Sequence, residues 1–251
     1  MKCLSPVALK AVDDSYFYVP CGQCIACRLN YSKLWSIRMM EELKNHDKAC
    51  FVTLTYDPEH LPEDNGLHKE HLQKFWKRLR KECKVRYFCC GEHGDRFNRP
   101  HYHAIIYGLS PEDKDIIEKH WQNGLVHVGT VTEDSCAYVA KYMTKKLNGR
   151  ALKEKLEEDP DYQNEFVLMS RRPGIGGRPS LAMIRFMYEN GFVYRKDKKS
   201  SLPRYYKDRY FIPTTIKDQD HDEFIKHLTN FDNNDMLIRN RLKFFGRKYN
   251  A

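Results

Sequence analysis

The stretch that decides the fold reads GEHGDRFNRPHYHAIIYG and covers residues 91–108. His101 and His103 stand one residue apart, and the apolar run at 104–107 that follows them is typical of a β-strand. Alternate residues of a strand point to the same face, so both imidazoles are predicted to project together. Glu92 ends the preceding apolar run and is expected to add a carboxylate from a neighbouring strand. Two nitrogens and one oxygen suit a divalent ion and leave positions for water or a phosphate oxygen.

A second pattern lies at residues 138–146, which read YVAKYMTKK. Tyr138 and Tyr142 are four apart, which places them on one face of a helix. Each tyrosine is followed three residues later by a lysine, Lys141 or Lys145. A phenol near a metal-polarised phosphate is a candidate nucleophile, and the lysines are candidates to stabilise the charge that develops. Taken alone, the same pattern equally describes an amphipathic helix with buried tyrosines and solvated lysines.

Together the two patterns resemble the HUH endonucleases, in which two histidines flank a hydrophobic residue and a tyrosine nicks single-stranded DNA. Residues 51–57, FVTLTYD, are similar to the first motif of rolling-circle replication initiators. Residues 20–28, PCGQCIACR, and residues 201–206, SLPRYY, bring the set closer to the replication initiators of gokushovirus-type microviruses. The motifs are specific in combination and weak singly.

The resemblance implies a rolling-circle initiator that nicks and rejoins single-stranded origin DNA through a covalent 5′-phosphotyrosine. It implies Mg²⁺ or Mn²⁺ held by His101, His103 and Glu92, and two tyrosines that allow two successive transfers. The free 3′-hydroxyl is expected to prime synthesis by a host DNA polymerase. Because the sequence has no helicase motif, a host helicase is the expected source of strand separation, in the cytoplasm of a bacterial host.

Bulk properties agree with a folded protein that binds a polyanion. The chain has 251 residues, of which 41% are hydrophobic, and a formal net charge of +9. A basic chain of this size favours nucleic acid as partner, although the charge alone fits many proteins. No apolar run reaches the length of a membrane span, and the N-terminus lacks an apolar core of signal-peptide length, so no membrane association is expected.

Four cysteines cluster near the N-terminus: Cys3, Cys21, Cys24 and Cys27. The CxxCxxC spacing allows three thiolates to converge on one ion, and Cys3 is placed to complete a tetrahedron, which makes a structural Zn²⁺ a candidate. The alternative is that these cysteines are small buried residues of a loop. The chain has nine cysteines, an odd number, and in a reducing compartment thiols or metal ligands are expected rather than disulfides.

Periodicity predicts helices at 28–45, 69–83, 111–121 and about 135–147, with strands at 50–56, 85–91, 101–108 and 124–131. This order predicts an α+β fold with a central antiparallel sheet flanked by helices. The resemblance implies the same fold, the ferredoxin- or RRM-like palm of the HUH endonucleases. The expected organisation is a cysteine-rich segment at 1–27, an endonuclease core at 28–165 and a basic, aromatic extension at 166–251.

Several basic residues are candidates for DNA contact because cations pair with backbone phosphates and aromatic neighbours stack on bases. They are Lys77, Arg96, Arg99, Arg171, Arg172 and Arg204. A solvated helix face explains Lys77 equally well. The loop RRPGIGGRP at 171–179 fits either a phosphate clamp or a flexible connector, and the connector is slightly favoured.

Two other functions stay open at this point. A non-catalytic, zinc-stabilised DNA-binding module would use the cysteines and the basic charge, but it leaves the pairing of HxH with the tyrosines unexplained. A metal phosphohydrolase without a covalent intermediate would keep the histidines and make both tyrosines structural.

Overall fold

A computed structural model of the chain describes residues 2–94, 97–145, 149–160 and 162–212. The strands in these residues are β1 Val7–Lys10, β2 Tyr16–Val19, β3 Ala49–Tyr56, β4 Arg86–His93, β5 Pro100–Tyr107, β6 Gly124–Thr130, β7 Phe166–Met169, β8 Phe192–Arg195 and β9 Lys198–Ser201. The helices are α1 Ile25–Leu43, α2 Lys69–Glu82, α3 Lys114–His120, α4 Glu133–Lys145, α5 Gly149–Glu158, α6 Leu181–Asn190 and α7 Arg204–Tyr210.

A five-stranded sheet forms the centre of the fold, with strand order β6-β3-β5-β4-β7. Every neighbouring pair in it is antiparallel. The histidine strand β5 lies in the middle, and helices pack on the sheet. The predicted α+β fold with a central antiparallel sheet is therefore confirmed, and it is consistent with the HUH endonuclease palm.

Each face of the sheet carries its own hydrophobic core. On one face α2 packs its buried residues Leu72, Phe75 and Leu79 against strand residues such as Val52 and Leu54. The apolar positions of α2 recur at helical spacing, which is why one side of this helix is buried and the other is basic. The opposite face is covered by α1 and α4.

On this opposite face, too, every second residue of the strands is buried in the core. Phe88 of β4 and Ile105 of β5 are fully buried there, beneath Trp35 and Met39 of α1 and Val139 of α4. Because both parities of β5 are apolar, the strand is buried on both sides.

The glycine and arginine loop at 171–177 is anchored rather than loose. Glu42 of α1 is 4% exposed and accepts hydrogen bonds from the Gly176 backbone N–H at 2.7 Å and from Arg86. Arg38 donates to the Ile175 carbonyl at 2.9 Å. These bonds tie the loop to α1 and β4, so the interpretation as a flexible connector is wrong for this part of the loop.

The chain divides into two compact units, residues 1–179 and 180–251. Strand β7 pairs with β4 inside the first unit, although the sequence placed residue 166 beyond the core. The hairpin β1–β2 and strand β7 were not anticipated, because each strand is only four residues long.

The described part of the second unit covers residues 180–212. Helix α6 begins at the Ser180 cap, whose hydroxyl accepts from the Met183 N–H, and ends at Gly191 with φ +70°. Strands β8 and β9 form a hairpin, and α7 follows. The tail from residue 213 onward lies outside the described residues. No helix in the described part of the chain is long and apolar enough to cross a bilayer.

We predict that Glu42→Gln destabilises the protein by about 3 kcal/mol, because it leaves Arg86 partly buried without its carboxylate partner. Urea unfolding followed by circular dichroism measures this difference in the free energy of unfolding. Glu118→Gln is the matched control, since its ion pair with Lys114 is exposed and its loss should cost no more than about 0.5 kcal/mol. Equal stability of the two variants would contradict the anchoring role of Glu42.

Candidate active site and metal centre

The sheet register brings the predicted metal ligands together. Glu92 of β4 pairs directly with His101 of β5, and His103 follows two residues later on the same face. The side-chain donor atoms of these three residues all lie within 4.8 Å of one another. Glu92 is 3% exposed and His103 is 6% exposed, so two of the three side chains are buried.

The donor atoms have a spacing that fits a small divalent ion. Oε1 of Glu92 lies 3.0 Å from Nε2 of His101 and 2.7 Å from Nε2 of His103. An octahedral ion bound at about 2.1 Å separates adjacent ligand atoms by roughly 3.0 Å. Two imidazoles and one carboxylate on one side of an ion leave its other positions for water or substrate. The three residues therefore fit a catalytic metal.

Neighbouring groups orient both imidazoles toward this point. Nδ1 of His101 lies 3.0 Å from the Arg99 carbonyl, and Nδ1 of His103 lies 3.0 Å from the Thr53 hydroxyl. A carbonyl only accepts, so Nδ1–H of His101 donates and Nε2 is left to face the site. Such outer contacts determine ring orientation and tautomer in metal-binding histidines. Thr53 was not predicted as a site residue, although its strand was noted as a motif.

Electrostatics favour an ionised carboxylate at Glu92 beside a neutral imidazole at His103. Burial opposes ionisation of Glu92, but its contacts with His101 and His103 outweigh burial and hold the pKa of this carboxyl well below its usual value. Burial lowers the pKa of His103, against the attraction of Glu92, so the imidazole is neutral and available as a ligand.

The two tyrosines of α4 reach the same site but differ in exposure. The Tyr138 hydroxyl donates to Glu92 Oε1 at 3.2 Å and lies 3.4 Å from His103 Nε2. Tyr138 is 41% exposed, whereas Tyr142 is 3% exposed and hydrogen-bonds Glu92. Burial raises the pKa of Tyr138, a hydrogen bond with Tyr142 lowers it, and the negative charge of Glu92 raises it further. A phenolate at Tyr138 therefore needs a nearby cation.

The remaining predicted catalytic residues lie on the same helix. Lys141 is exposed on α4, and Lys145 is the last residue of that helix. Phe51 of β3 also belongs to the site, since its ring stacks on His103 with centroids 5.6 Å apart and meets Tyr138 edge-on at 6.3 Å. Phe51 was quoted in the sequence only as part of a motif, because an aromatic residue on a strand gives no signal of its own.

His93 was a competitor of Glu92 for the third ligand position, and the pleat decides between them. Adjacent strand residues point to opposite faces, so His93 turns away from the histidine pair. Its Nε2 lies 3.1 Å from the Asn65 carbonyl.

The candidate DNA contacts belong to different elements of the chain. Lys77 is exposed on α2, which covers the opposite face of the sheet from Glu92. Arg171 and Arg172 are exposed in the loop after β7. Arg204 begins α7 in the second unit and pairs with Asp208. Arg96 lies outside the described residues.

Arg99 is the candidate DNA contact next to the metal ligands in the chain and in space. Its guanidinium donates to the Tyr56 carbonyl at 2.7 Å, while its buried Nε lacks a partner among the described residues. Its own carbonyl accepts from His101. Arg99 therefore supports the site structurally as well as carrying a positive charge beside it.

The four cysteines of the N-terminal segment converge at a second point. Their sulfur atoms lie within 4.8 Å of one another, with Cys3 Sγ 3.5 Å from Cys21 Sγ and 3.8 Å from Cys24 Sγ. Backbone N–H groups, that of Leu4 first, lower the pKa of the Cys24 thiol to about 6. Burial raises the pKa of Cys27 to about 12. The structure thus offers two groups of residues that could hold a metal, one with nitrogen and oxygen donors and one with sulfur donors only.

Comparison with known proteins identifies the family to which the chain belongs. A family model that describes replication-associated proteins of the ORF2 type matches residues 49–147, which include β3 to β6 and the tyrosine helix. The chain is 32% identical to replication-associated protein VP4 of Bdellovibrio phage phiMH2K, over 77% of this chain and 68% of the relative. It belongs to this family of phage replication-associated proteins.

Other members of the family are similar over different shares of their length. Replication-associated protein ORF2 of Spiroplasma virus 4 is 32% identical, over 79% of this chain and 68% of the relative. Replication-associated protein ORF4 of Chlamydia phage 1 is 30% identical, over 54% of this chain and 40% of the relative. No solved structure matches the chain significantly.

We predict that Thr53→Val weakens Mn²⁺ binding about tenfold, because Nδ1 of His103 loses its partner and the ring is no longer held toward the site. Titration of the chain with Mn²⁺, followed by the electron paramagnetic resonance signal of the free ion, measures the affinity. Thr55→Val is the control: Thr55 pairs with His101, whose Nδ1 is already bonded to Arg99. Unchanged Mn²⁺ affinity in Thr53→Val would show that Thr53 does not orient the ligand.

Proposed function

We propose that this protein initiates rolling-circle replication by nicking and rejoining single-stranded origin DNA through a tyrosine. The observation that carries the proposal is the position of the Tyr138 hydroxyl, within hydrogen-bonding distance of Glu92 where that carboxylate meets His103. A nucleophile and a group of metal ligands at one point are what phosphodiester transfer requires. Membership of the replication-associated family supports the same reading.

The carboxylate of Glu92 and the open positions for water suit Mg²⁺ or Mn²⁺, and the two imidazoles of His101 and His103 favour Mn²⁺ of these two ions. Such an ion supplies a Lewis acid for a non-bridging phosphate oxygen. The four thiols of the cysteine group suit a softer ion such as Zn²⁺. We therefore assign different metals to the two groups of ligands.

The proposed reaction transfers the 5′ phosphate of the cut strand from a 3′ oxygen to Tyr138. The Tyr138 oxygen attacks phosphorus, its bond to phosphorus forms as the bond from phosphorus to the 3′ oxygen breaks, and the phenol proton passes to solvent. The leaving 3′ oxygen takes a proton from solvent, which gives a 5′-phosphotyrosine and a free 3′-hydroxyl. Lys141 lies one helical turn from Tyr138 and offers a positive charge to the transferring phosphate. We give Lys145 the same role one turn further along α4.

The two tyrosines have different parts in the first cut. Tyr138 is accessible to a DNA strand, whereas the Tyr142 ring packs beneath it with centroids 5.3 Å apart. The Tyr142 hydrogen bond to Glu92 holds the carboxylate in place. Tyr138 therefore opens the reaction, and Tyr142 positions a ligand in that step before any transfer of its own.

The DNA strand lies on the open part of the same sheet face. Thr55 pairs with His101 on one side and with Leu125 of the edge strand β6 on the other, so the three side chains share that face. Leu125 is 69% exposed and its neighbour on this face, His127, is exposed as well. An apolar and an imidazole side chain at this point give bases a surface on which to stack.

The product determines the partners that the reaction needs. The 3′-hydroxyl is a primer end, so we propose that a host DNA polymerase extends it and that a host helicase separates the strands. We propose the cytoplasm of a bacterial host as the location of these events.

We predict that Tyr138→Phe lowers the rate of adduct formation at least about 100-fold, whereas Tyr142→Phe lowers it about five- to tenfold through loss of one hydrogen bond to Glu92. The assay incubates the chain and Mn²⁺ with single-stranded oligonucleotides that tile the intergenic region of the encoding genome. The 3′-labelled strand should label the protein on a denaturing gel, and the 5′-labelled strand should give a free, shorter fragment.

The same assay separates the rival functions. Cleavage of both the 3′-labelled and the 5′-labelled oligonucleotide without labelled protein indicates a phosphohydrolase. Binding without cleavage indicates a DNA-binding module. Full labelling in Tyr138→Phe with none in Tyr142→Phe would reverse the order of the tyrosines while leaving tyrosine chemistry intact.

We also predict that Glu92→Gln lowers adduct formation about 100-fold at limiting Mn²⁺ and that excess Mn²⁺ restores part of it, because the amide keeps the shape but loses the charge that binds the ion. The dependence of the rate on Mn²⁺ concentration measures this. Glu112→Gln, in the exposed turn before α3, should retain the concentration dependence of the parent. A Glu92→Gln variant with unaltered metal dependence would remove Glu92 from the ligand set.

A further inference from the structure

The N-terminal segment of residues 2–24 has a defined shape without a core. Strands β1 and β2 form an antiparallel hairpin in which Val7 pairs with Val19 and Lys10 pairs with Tyr16. Within this described segment not one residue is buried. A two-stranded hairpin without a buried face is marginally stable in water, so some other interaction has to hold it.

The four cysteine thiols lie close together where this segment meets helix α1. Cys3 precedes the hairpin, Cys21 follows it, and Cys24 and Cys27 lie at the start of α1. Contacts among these four sulfur atoms therefore bring both ends of the hairpin to the start of α1.

The geometry points to a structural Zn²⁺ bound by Cys3, Cys21, Cys24 and Cys27, which fastens the hairpin to the first turn of α1. Zn–S bonds of about 2.3 Å place the sulfurs of a tetrahedron roughly 3.8 Å apart. The observed separations of 3.5 Å and 3.8 Å from Cys3 to Cys21 and Cys24 match this value. Disulfides do not account for them, because a disulfide brings sulfurs to about 2.05 Å and all nine cysteines are free.

Backbone donors are arranged as a thiolate cluster requires. The N–H of Cys21 donates to Cys3 Sγ at 3.3 Å, that of Cys24 to Cys21 Sγ at 3.3 Å, and that of Leu4 to Cys24 Sγ at 3.4 Å. Gly22 has φ +72°, which turns the chain between Cys21 and Cys24. Each donor offsets part of the negative charge that four thiolates bring to one ion.

The start of α1 gives an independent reason for the ion to lie there. Cys24 is the N-cap of the helix and makes no side-chain capping hydrogen bond, and the first turn has no acidic residue. A helix N-terminus favours negative charge, which Asp, Ser or Thr usually provides. With Zn²⁺ bound, Cys24 and Cys27 of this first turn would be thiolates, and a cluster of four thiolates on one Zn²⁺ would carry net negative charge at the start of α1.

The first experiment measures zinc in the untagged, full-length chain, purified with its thiols reduced and without chelator. A His101→Ala/His103→Ala background removes the ligands of the other metal group. Mass spectrometry of the metal content should find about one Zn²⁺ per chain in this parent. The Cys21→Ser/Cys24→Ser variant should retain less than about a tenth of it. Cys83→Ser, which alters a cysteine outside the cluster, should bind zinc as the parent does.

A second measurement keeps the test decisive if the double variant fails to fold. Co²⁺ added to the metal-free parent should give the thiolate-to-cobalt absorption of a tetrahedral sulfur site. Hydrogen exchange read by mass spectrometry should then show amides of residues 16–24 exchanging at least about tenfold faster after zinc removal, with β3 and β5 unchanged. A parent that neither contains nor takes up zinc, or equal zinc in the cysteine variant, overturns the assignment. Protection of residues 16–24 that does not depend on metal overturns the fastening role.

Discussion

The register of three adjacent strands is the constraint on which the site depends. Glu92 pairs with His101, and His103 pairs with Thr53, only because β4 and β3 align with β5 as they do. A slip of one residue in either pairing would turn the ligand or its partner to the other face. The two cores prevent that slip, since such a shift would also expose buried residues like Val52 and Phe88. Packing on both faces of the sheet therefore enforces the geometry of a polar site.

Burial of Glu92 sets the chemical character of that site. A carboxylate that is 3% exposed stays ionised only with partners, and its partners here are two imidazoles and two phenols. The same charge works against ionisation of Tyr138. The protein alone therefore holds Tyr138, the proposed nucleophile, as a phenol, and a cation held by Glu92, His101 and His103 would offset the charge that opposes its ionisation. The dependence of the proposed reaction on metal follows from this arrangement as much as from the needs of the phosphate.

Sequence reasoning succeeded where the pattern was local. The apolar periods of α2, β3 and β5 predicted both the elements and the face on which His101 and His103 lie. It failed where a contact joins segments that are far apart in the sequence. Strand β7 pairs with β4, and Glu42 accepts a hydrogen bond from the loop at Gly176. Neither contact has a periodic signal, because a short strand and a single buried acid resemble any other short run.

The choice between residues of the same type also lay beyond the sequence. Spacing placed Tyr138 and Tyr142 on one helix face, but only packing shows that one of them is buried against Glu92. Lys77 gave the same kind of ambiguity, since a basic helix face looks alike whether it lies over the ligands or, as here, on the opposite side of the sheet. The layer to which a helix belongs is decided by chain crossings rather than by its composition.

The contact between Tyr138 and Glu92 depends on the relative position of the sheet and helix α4. The sheet positions the proposed ligands, whereas α4 carries the proposed nucleophile and packs against α1 as well as against β4. Helix α1 is in turn held at its C-terminal half by Glu42, through the loop near Gly176, and begins at the cysteine cluster. If the proposed Zn²⁺ binds there, α1 is fastened at both ends, and this would limit the tilt of the helix on which α4 packs. The elements far from the phosphate therefore contribute to the short distance at which the chemistry would take place.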